Sequence, residues 1–221
     1  MTTPRSKRYD FSLPVAQRLS DLTGIQGDLE AVEKICARLV AEKDKRVLRP
    51  DSDPLVYMDA MFYADALYAA AVVRFMRTHA TGSRIGISAA WIKALPEPLQ
   101  RVYTHVKTLR DKFIAHPIAP LEDNQVFVYV QETGENAGTV THVNLDHGRV
   151  LHGGGVDGFA LGELAKALRA MVVSEVEVEV ARVLEAARAM PTADIIKRGS
   201  EQVPVPSLQA VKKARKPFKG A

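Results

Sequence analysis

Arg110, Asp111 and His116 are the residues of this sequence whose types and spacing best suit chemistry, and they lie together in the run Arg110-Asp111-Lys112-Phe113-Ile114-Ala115-His116. Cleaving RNA without a metal needs a group that exchanges protons near neutral pH and a fixed cation that holds phosphate charge, roles that histidine and arginine fill best. Arg110 and His116 supply that pair. On an ideal helix two residues six apart point about 120° away from each other, so they converge only where the helix ends near His116. Pro117 provides such an ending, because proline disfavours helical geometry in the residue before it. Plainer roles stand beside these: His116 interacting with the last carbonyls of its own helix, and Asp111 pairing with Lys107 or Lys112.

The longer string Leu109-Arg110-Asp111-Lys112-Phe113-Ile114-Ala115-His116 resembles the signature of the HEPN superfamily, in particular of its abortive-infection-like members. There an arginine is followed by a polar residue and, a few residues later, by histidine. Arg110, Asp111 and His116 match those three positions. The resemblance extends over about residues 15–190 and is sharp over 99–117. It implies a bundle of roughly four helices with the motif at the C-terminal end of a late helix. It further implies a homodimer in which Arg110 and His116 of two subunits meet to cleave RNA without a metal, through attack by the ribose 2′-hydroxyl. His116 would move protons, Arg110 would steady the phosphate, and Asp111 would orient or help bind. No cofactor is expected, and a neutralising antitoxin or regulatory protein is implied as a partner.

The elements that must position these residues are read from periodicity. Pro14 opens a stretch with Val15, Leu19 and Leu22 at helical spacing, which Gly24 and Gly27 are expected to interrupt before Asp28 restarts a second helix. In that second piece Leu29, Val32, Cys36, Leu39 and Val40 share one face, opposite Glu30, Glu33, Lys34 and Arg38. Residues 49–54 read as a loop, with Asp53 placed to cap the next helix and Pro54 suited to its first turn. From 55 to about 78 the chain is apolar on nearly every side, which predicts a central helix enclosed by protein. A short helix is expected around Trp91, and Pro96 and Pro98 mark the next start. Leu99, Val102, Val106, Leu109 and Phe113 then recur at steps of three and four, the seam of the helix that carries the motif.

After Pro117 the period changes. Residues 126–130 and 139–143 read as two strands joined by a turn containing Gly134 and Gly138. The run 153–155 reads as a glycine hinge, and a last helix is expected over 159–190, with Leu164, Leu168, Val172, Val176, Val180, Val183 and Ala187 on one stripe. Its segment Val176 to Val180 also alternates like a strand, but its flanks favour helix. The expected fold is all-α: a bundle of about four to five helices with a small β-hairpin insertion at about 125–145, a basic leader over 1–13 and a basic, flexible tail over 191–221.

Charge sorts the same way. The net charge is +4, yet residues 191–221 alone carry seven Lys and Arg against Asp194 and Glu201, so the tail is +5 and the rest −1. A basic appendage of this kind suits contact with RNA, DNA or acidic partners, and also plain solubility. The single cysteine, Cys36, excludes an intramolecular disulfide and reads as buried filler. Asp59, Asp65 and Arg74 interrupt the most apolar stretch, which favours a core helix over a membrane span. With no secretory leader, a cytoplasmic location is expected. His142, His147 and His152 recur every five residues, a spacing that suits neither one strand face nor one helix face, so no metal site is expected. Asp65 wants a cationic or hydrogen-bonding partner, and Arg110, Arg74 and Tyr68 all qualify. Three function classes follow, in this order: a dimeric HEPN-type ribonuclease toxin of phage-defence kind, a catalytically silent partner-binding protein of the same fold, and a basic-tailed nucleic-acid-binding protein.

Overall fold

Leu22, Ile25, Leu29, Val32, Cys36 and Leu39 recur at steps of three and four, and in the computed structural model they form the buried face of one unbroken helix, α1 (Pro14–Asp44). The expected break at Gly24 and Gly27 does not occur. A glycine inside a helix costs about 1 kcal/mol relative to alanine, whereas burying each of Leu22, Ile25 and Leu29 is worth roughly 1.5–3 kcal/mol, so packing overrides the local preference. The structure describes Tyr9, Phe11 and residues 13–44, 53–79, 85–111, 122–135, 137–149 and 155–198. Beyond α1 these form α2 (Pro54–Arg77), α3 (Ala89–Ala94), α4 (Glu97–Leu109), β1 (Glu122–Val130), β2 (Val140–Arg149), α5 (Gly155–Arg188) and α6 (Thr192–Arg198). The molecule is thus a helical bundle with a small antiparallel hairpin. The last expected helix begins four residues early, and α6 extends helical structure into the segment expected to be a flexible tail.

The main packing axis joins α1 to α5. They run antiparallel: Arg18 reaches Glu175 at 2.8 Å and Glu179 at 2.9 Å, Glu33 holds the guanidinium of Arg169, and Leu39 lies against Gly158. Gly158 and Gly162 sit one turn apart on the inner face of α5. A Cβ at Gly162 would stand 3.1 Å from the Cβ of Cys36, and one at Gly158 would stand 3.3 Å from Leu39. The two backbones approach this closely because the side chains there are absent. Leu161, Leu164, Ala165, Leu168 and Val172 continue the buried stripe. The expected continuation through Val180 fails, since Val180 is exposed while Glu179 is buried. Near this level α1 begins at Pro14, and Arg182 already bonds the carbonyl of Val15 at 3.4 Å. Glu179 takes the inward position because Arg18 and Arg182, the latter at 2.8 Å, neutralise it.

α2 lies antiparallel on the other flank of α1, with Arg74 and Arg77 approaching the buried carboxylate of Asp28 at 3.5 and 3.8 Å. Asp53 caps it by accepting from the amide of Leu55 at 2.9 Å, and Pro54 occupies its first turn, as the sequence predicts. Enclosure on all sides does not hold. Ala64, Tyr68, Ala71, Val72 and Phe75 are buried, but Leu55, Val56, Met58, Phe62, Tyr63 and Val73 are exposed. The physical reason is a shortage of neighbours, since α1 covers one face and α4 touches only the C-terminal part. By length and composition α2 is able to cross a membrane, and 22% of its most apolar window is buried.

The hairpin pairs Val128 with Val143 and Tyr129 with His142, and slips register between Tyr129 and Val130. Gly134 and Gly138 adopt φ of +91° and +88°, the left-handed backbone that a tight turn demands and that glycine supplies without strain. Val126, Val128, Val130, Val140 and Val143 are exposed, as are Phe127 and Tyr129.

Two glycine substitutions separate propensity from packing. At the exposed Gly27, where an added Cβ meets nothing within 4 Å, alanine should raise unfolding stability by about 1 kcal/mol. Gly162→Leu should instead lower the melting temperature by several degrees, because the side chain must displace Cys36 and part α5 from α1. Denaturant and thermal unfolding of the two variants measure both; a Gly162→Leu chain as stable as wild type would contradict the close approach.

Candidate functional site

α4 begins where Pro96 and Pro98 set the first turn, and its inner seam follows the predicted spacing: Val106 and Leu109 are buried, while Leu99, Val102 and Tyr103 pack partly against the core. The opposite face is polar. Thr104 and Thr108 donate back to the carbonyls of Gln100 and Thr104, and Arg101 pairs with Glu97 one turn earlier. α4 therefore presents its last turn at the edge of the bundle with a fixed rotation. The next two residues, Arg110 and Asp111, continue in a wider, π-type turn. Such widened turns occur often at functional positions, because they re-aim side chains that a regular helix would spread apart.

Arg110 Nη1 donates to Asp111 Oδ1 at 2.9 Å, and both side chains are about half exposed. Among the described residues Asp111 is held by Arg110 rather than by Lys107, and Lys112 lies outside them. The guanidinium offers five N–H groups in a rigid fork, and this bond uses one. The adjacent carboxylate orients the fork while half of the side-chain surface stays open to solvent, an arrangement suited to an incoming phosphate oxygen. Arg74 approaches Asp28 at 3.5 Å. His116, with Lys112 to Pro117, lies outside the described residues. So do Phe113, His152 and residues 199–221.

What holds α4 against α2 is an aromatic group that periodicity did not single out. The ring of His79 lies 5.0 Å from Phe75 and 5.0 Å from Tyr103, and Phe75 meets Tyr103 edge-on at 6.4 Å. His79 Nδ1 is 3.0 Å from the hydroxyl of Thr78, which itself donates to the carbonyl of Phe75 at 2.6 Å. His79 Nε2 is enclosed and has no hydrogen-bond partner among the described residues. Burial disfavours the imidazolium and lowers the pKa of His79, only partly offset by the Phe75 carbonyl, and Lys107 adds repulsion. The signal in the sequence was slight: a histidine just after the last apolar turn of α2.

The other groups weighed for chemistry have structural partners. Cys36 is buried on α1, and desolvation with the Glu33 charge pushes its thiol up to about 12, so it stays protonated and unreactive. Burial also raises the Tyr68 hydroxyl, with Asp157 contributing. His142 stacks on Tyr129 at 4.2 Å with its Nδ1 3.2 Å from the hydroxyl of Thr141. No group of three or more metal-ligating residues assembles among the described residues. No family model matches the chain, and no curated protein or solved structure is detectably similar to it.

The His79 contact predicts a pH dependence. A histidine whose pKa is lowered by folding binds fewer protons folded than unfolded, so its contribution is full above the ordinary value near 6.5 and falls away as the pH drops toward the folded value. Wild type should lose stability between pH 7.5 and 5 more steeply than His79→Phe, which keeps the ring and removes the titrating group. Equal slopes in urea titrations across that range would show that His79 is not desolvated.

Proposed function

We propose that this chain is a metal-independent endoribonuclease of the HEPN toxin and phage-defence type, working as a homodimer with a composite site of Arg110, Asp111 and His116. The observation that carries the reading is the half-exposed Arg110 fork, held by Asp111 in the widened turn that ends α4. The helical bundle with a motif on the end of a late helix agrees with the architecture that the resemblance implies.

The chemistry follows from the residue types. A His116 imidazole takes the proton of a ribose 2′-hydroxyl as that oxygen attacks the neighbouring phosphorus. The P–O5′ bond breaks, leaving a 2′,3′-cyclic phosphate, and a protonated imidazole returns a proton to the departing 5′-oxygen. One imidazole cannot take and give a proton in the same concerted step, so a second copy is the economical source of the acid. Arg110 neutralises charge that builds on the non-bridging oxygens, and Asp111 keeps its fork in place. Uncontrolled cleavage of cellular RNA calls for restraint, and a neutralising protein partner belongs to this reading.

Labelled RNAs incubated with purified protein in chelator-containing buffer test it. Wild type should cut, and Arg110→Ala and His116→Ala should each cut about 100-fold more slowly or worse, with circular dichroism and mass in solution unchanged. Asp111→Asn should fall between them. Cleavage that survives in both alanine variants, or that no RNA elicits from wild type, would remove the ribonuclease assignment.

A further inference from the structure

The exposed face of α2 has an order that an accidental apolar surface lacks. Leu55, Asp59, Phe62, Ala66, Ala70, Val73 and Arg77 follow one another at steps of three or four, and each of them is exposed. Five of the seven are apolar. The charges sit at the two ends and have opposite sign: Asp59 near the start, and Arg77 with the neighbouring Arg74 near the end. The large side chains Leu55 and Phe62 lie toward one end, while the small Ala66 and Ala70 lie in the middle. Apolar side chains repeating on one line of an exposed helix form a seam of the kind that packs against a second helix.

We infer that this face of α2 is a two-fold interface with the α2 of a second copy of the chain, the two helices antiparallel and crossing at Ala66. Antiparallel pairing centred there sets Phe62 of one copy over Ala70 of the other, and the reverse, so a large side chain meets a small one twice. Asp59 of each copy then comes beside Arg74 and Val73 of the other. Arg77, which is mostly exposed, stands opposite Leu55 and closes the rim. Both arginines keep their approach to Asp28, at 3.5 and 3.8 Å, with enough exposed surface to meet a second carboxylate. A parallel pairing would set Asp59 on Asp59 and Phe62 on Phe62. A self-complementary patch whose charges exchange under a two-fold is what an isologous dimer requires.

This surface is argued from α2 alone. It is independent of the ribonuclease reading and stands or falls on association measured without RNA. The full-length chain should sediment as a dimer, and Phe62→Asp should shift it to monomer with an unchanged helical spectrum. Asp59→Arg, at an exposed site, should weaken association about tenfold or more by setting like charges together. Ala66→Cys should form an interchain disulfide under mild oxidation, reversed by reductant, while Lys93→Cys on α3 should not; the buried Cys36 adds no background. A monomeric wild type, or a dimer that Phe62→Asp leaves intact, overturns the inference. So does a monomer that floats with phosphatidylcholine–phosphatidylglycerol vesicles and loses them on Phe62→Asp, which would assign the face to lipid.

Discussion

The approach of α5 to α1 at Gly158 and Gly162 is the constraint on which the rest of the bundle depends. Two side chains reduced to hydrogen let Cys36 and Leu39 settle against the α5 backbone, and that contact fixes the separation of the two longest helices. Everything else is arranged around the pair. α2 closes the second flank of α1, α4 packs onto α5, and the Phe75–His79–Tyr103 group ties α2 to α4. The position of Arg110 is therefore inherited through a short mechanical chain: α1 to α5, α5 to α4, and α4 to its last turn.

Charge serves this frame as a setting of register more than as a source of stability. Glu179 on α5, level with the start of α1, and Asp28 near the midpoint of α1 are buried carboxylates, each met by two arginines, and Glu33 with Arg169 joins α1 to α5 one turn beyond Asp28. Removing such charges from water costs much of what their attraction returns. Their geometric content is larger: an α1–α5 pair slid by one turn would leave Glu179 enclosed without Arg18. The glycines set how close the helices come, and the ion pairs set how far along each other they lie.

Much of this was legible in the sequence, where the cause was local. Asp53 and Pro54 at the start of α2, the seam of α4, the helical character of Val176 to Val180 and the glycine turn of the hairpin all follow from neighbouring residues. The misreadings share one source, because a sequence does not state how many neighbours an element will have. Gly24 and Gly27 argue for a break only until Leu22, Ile25 and Leu29 are known to be buried together. The all-round apolarity of α2 looks like enclosure, yet among the described elements α1 covers one face and α4 only the C-terminal part. The stripe of α5 continues in sequence past the level at which α1 begins. Within the site, Arg110 and Asp111 are adjacent, yet the sequence does not single out their pairing over Lys107 or Lys112 for Asp111, and His79 was hidden because its role is set by Tyr103, more than twenty residues away. His116 lies beyond the described residues, so the chemical half of the motif stands on residue type and spacing.

The hairpin has a consequence of its own. A sheet of two strands has two unpaired backbone edges, and neither β1 nor β2 is extensively covered by a helix among the described residues. Exposed valines on such a ribbon make it the part of the surface where an outside strand can add without displacing anything. The acids of its turn, the exposed Glu132 and Glu135, give neighbouring copies like charges at close range. Crowding would then be resisted by repulsion rather than by shape, and raising the salt concentration would weaken that resistance.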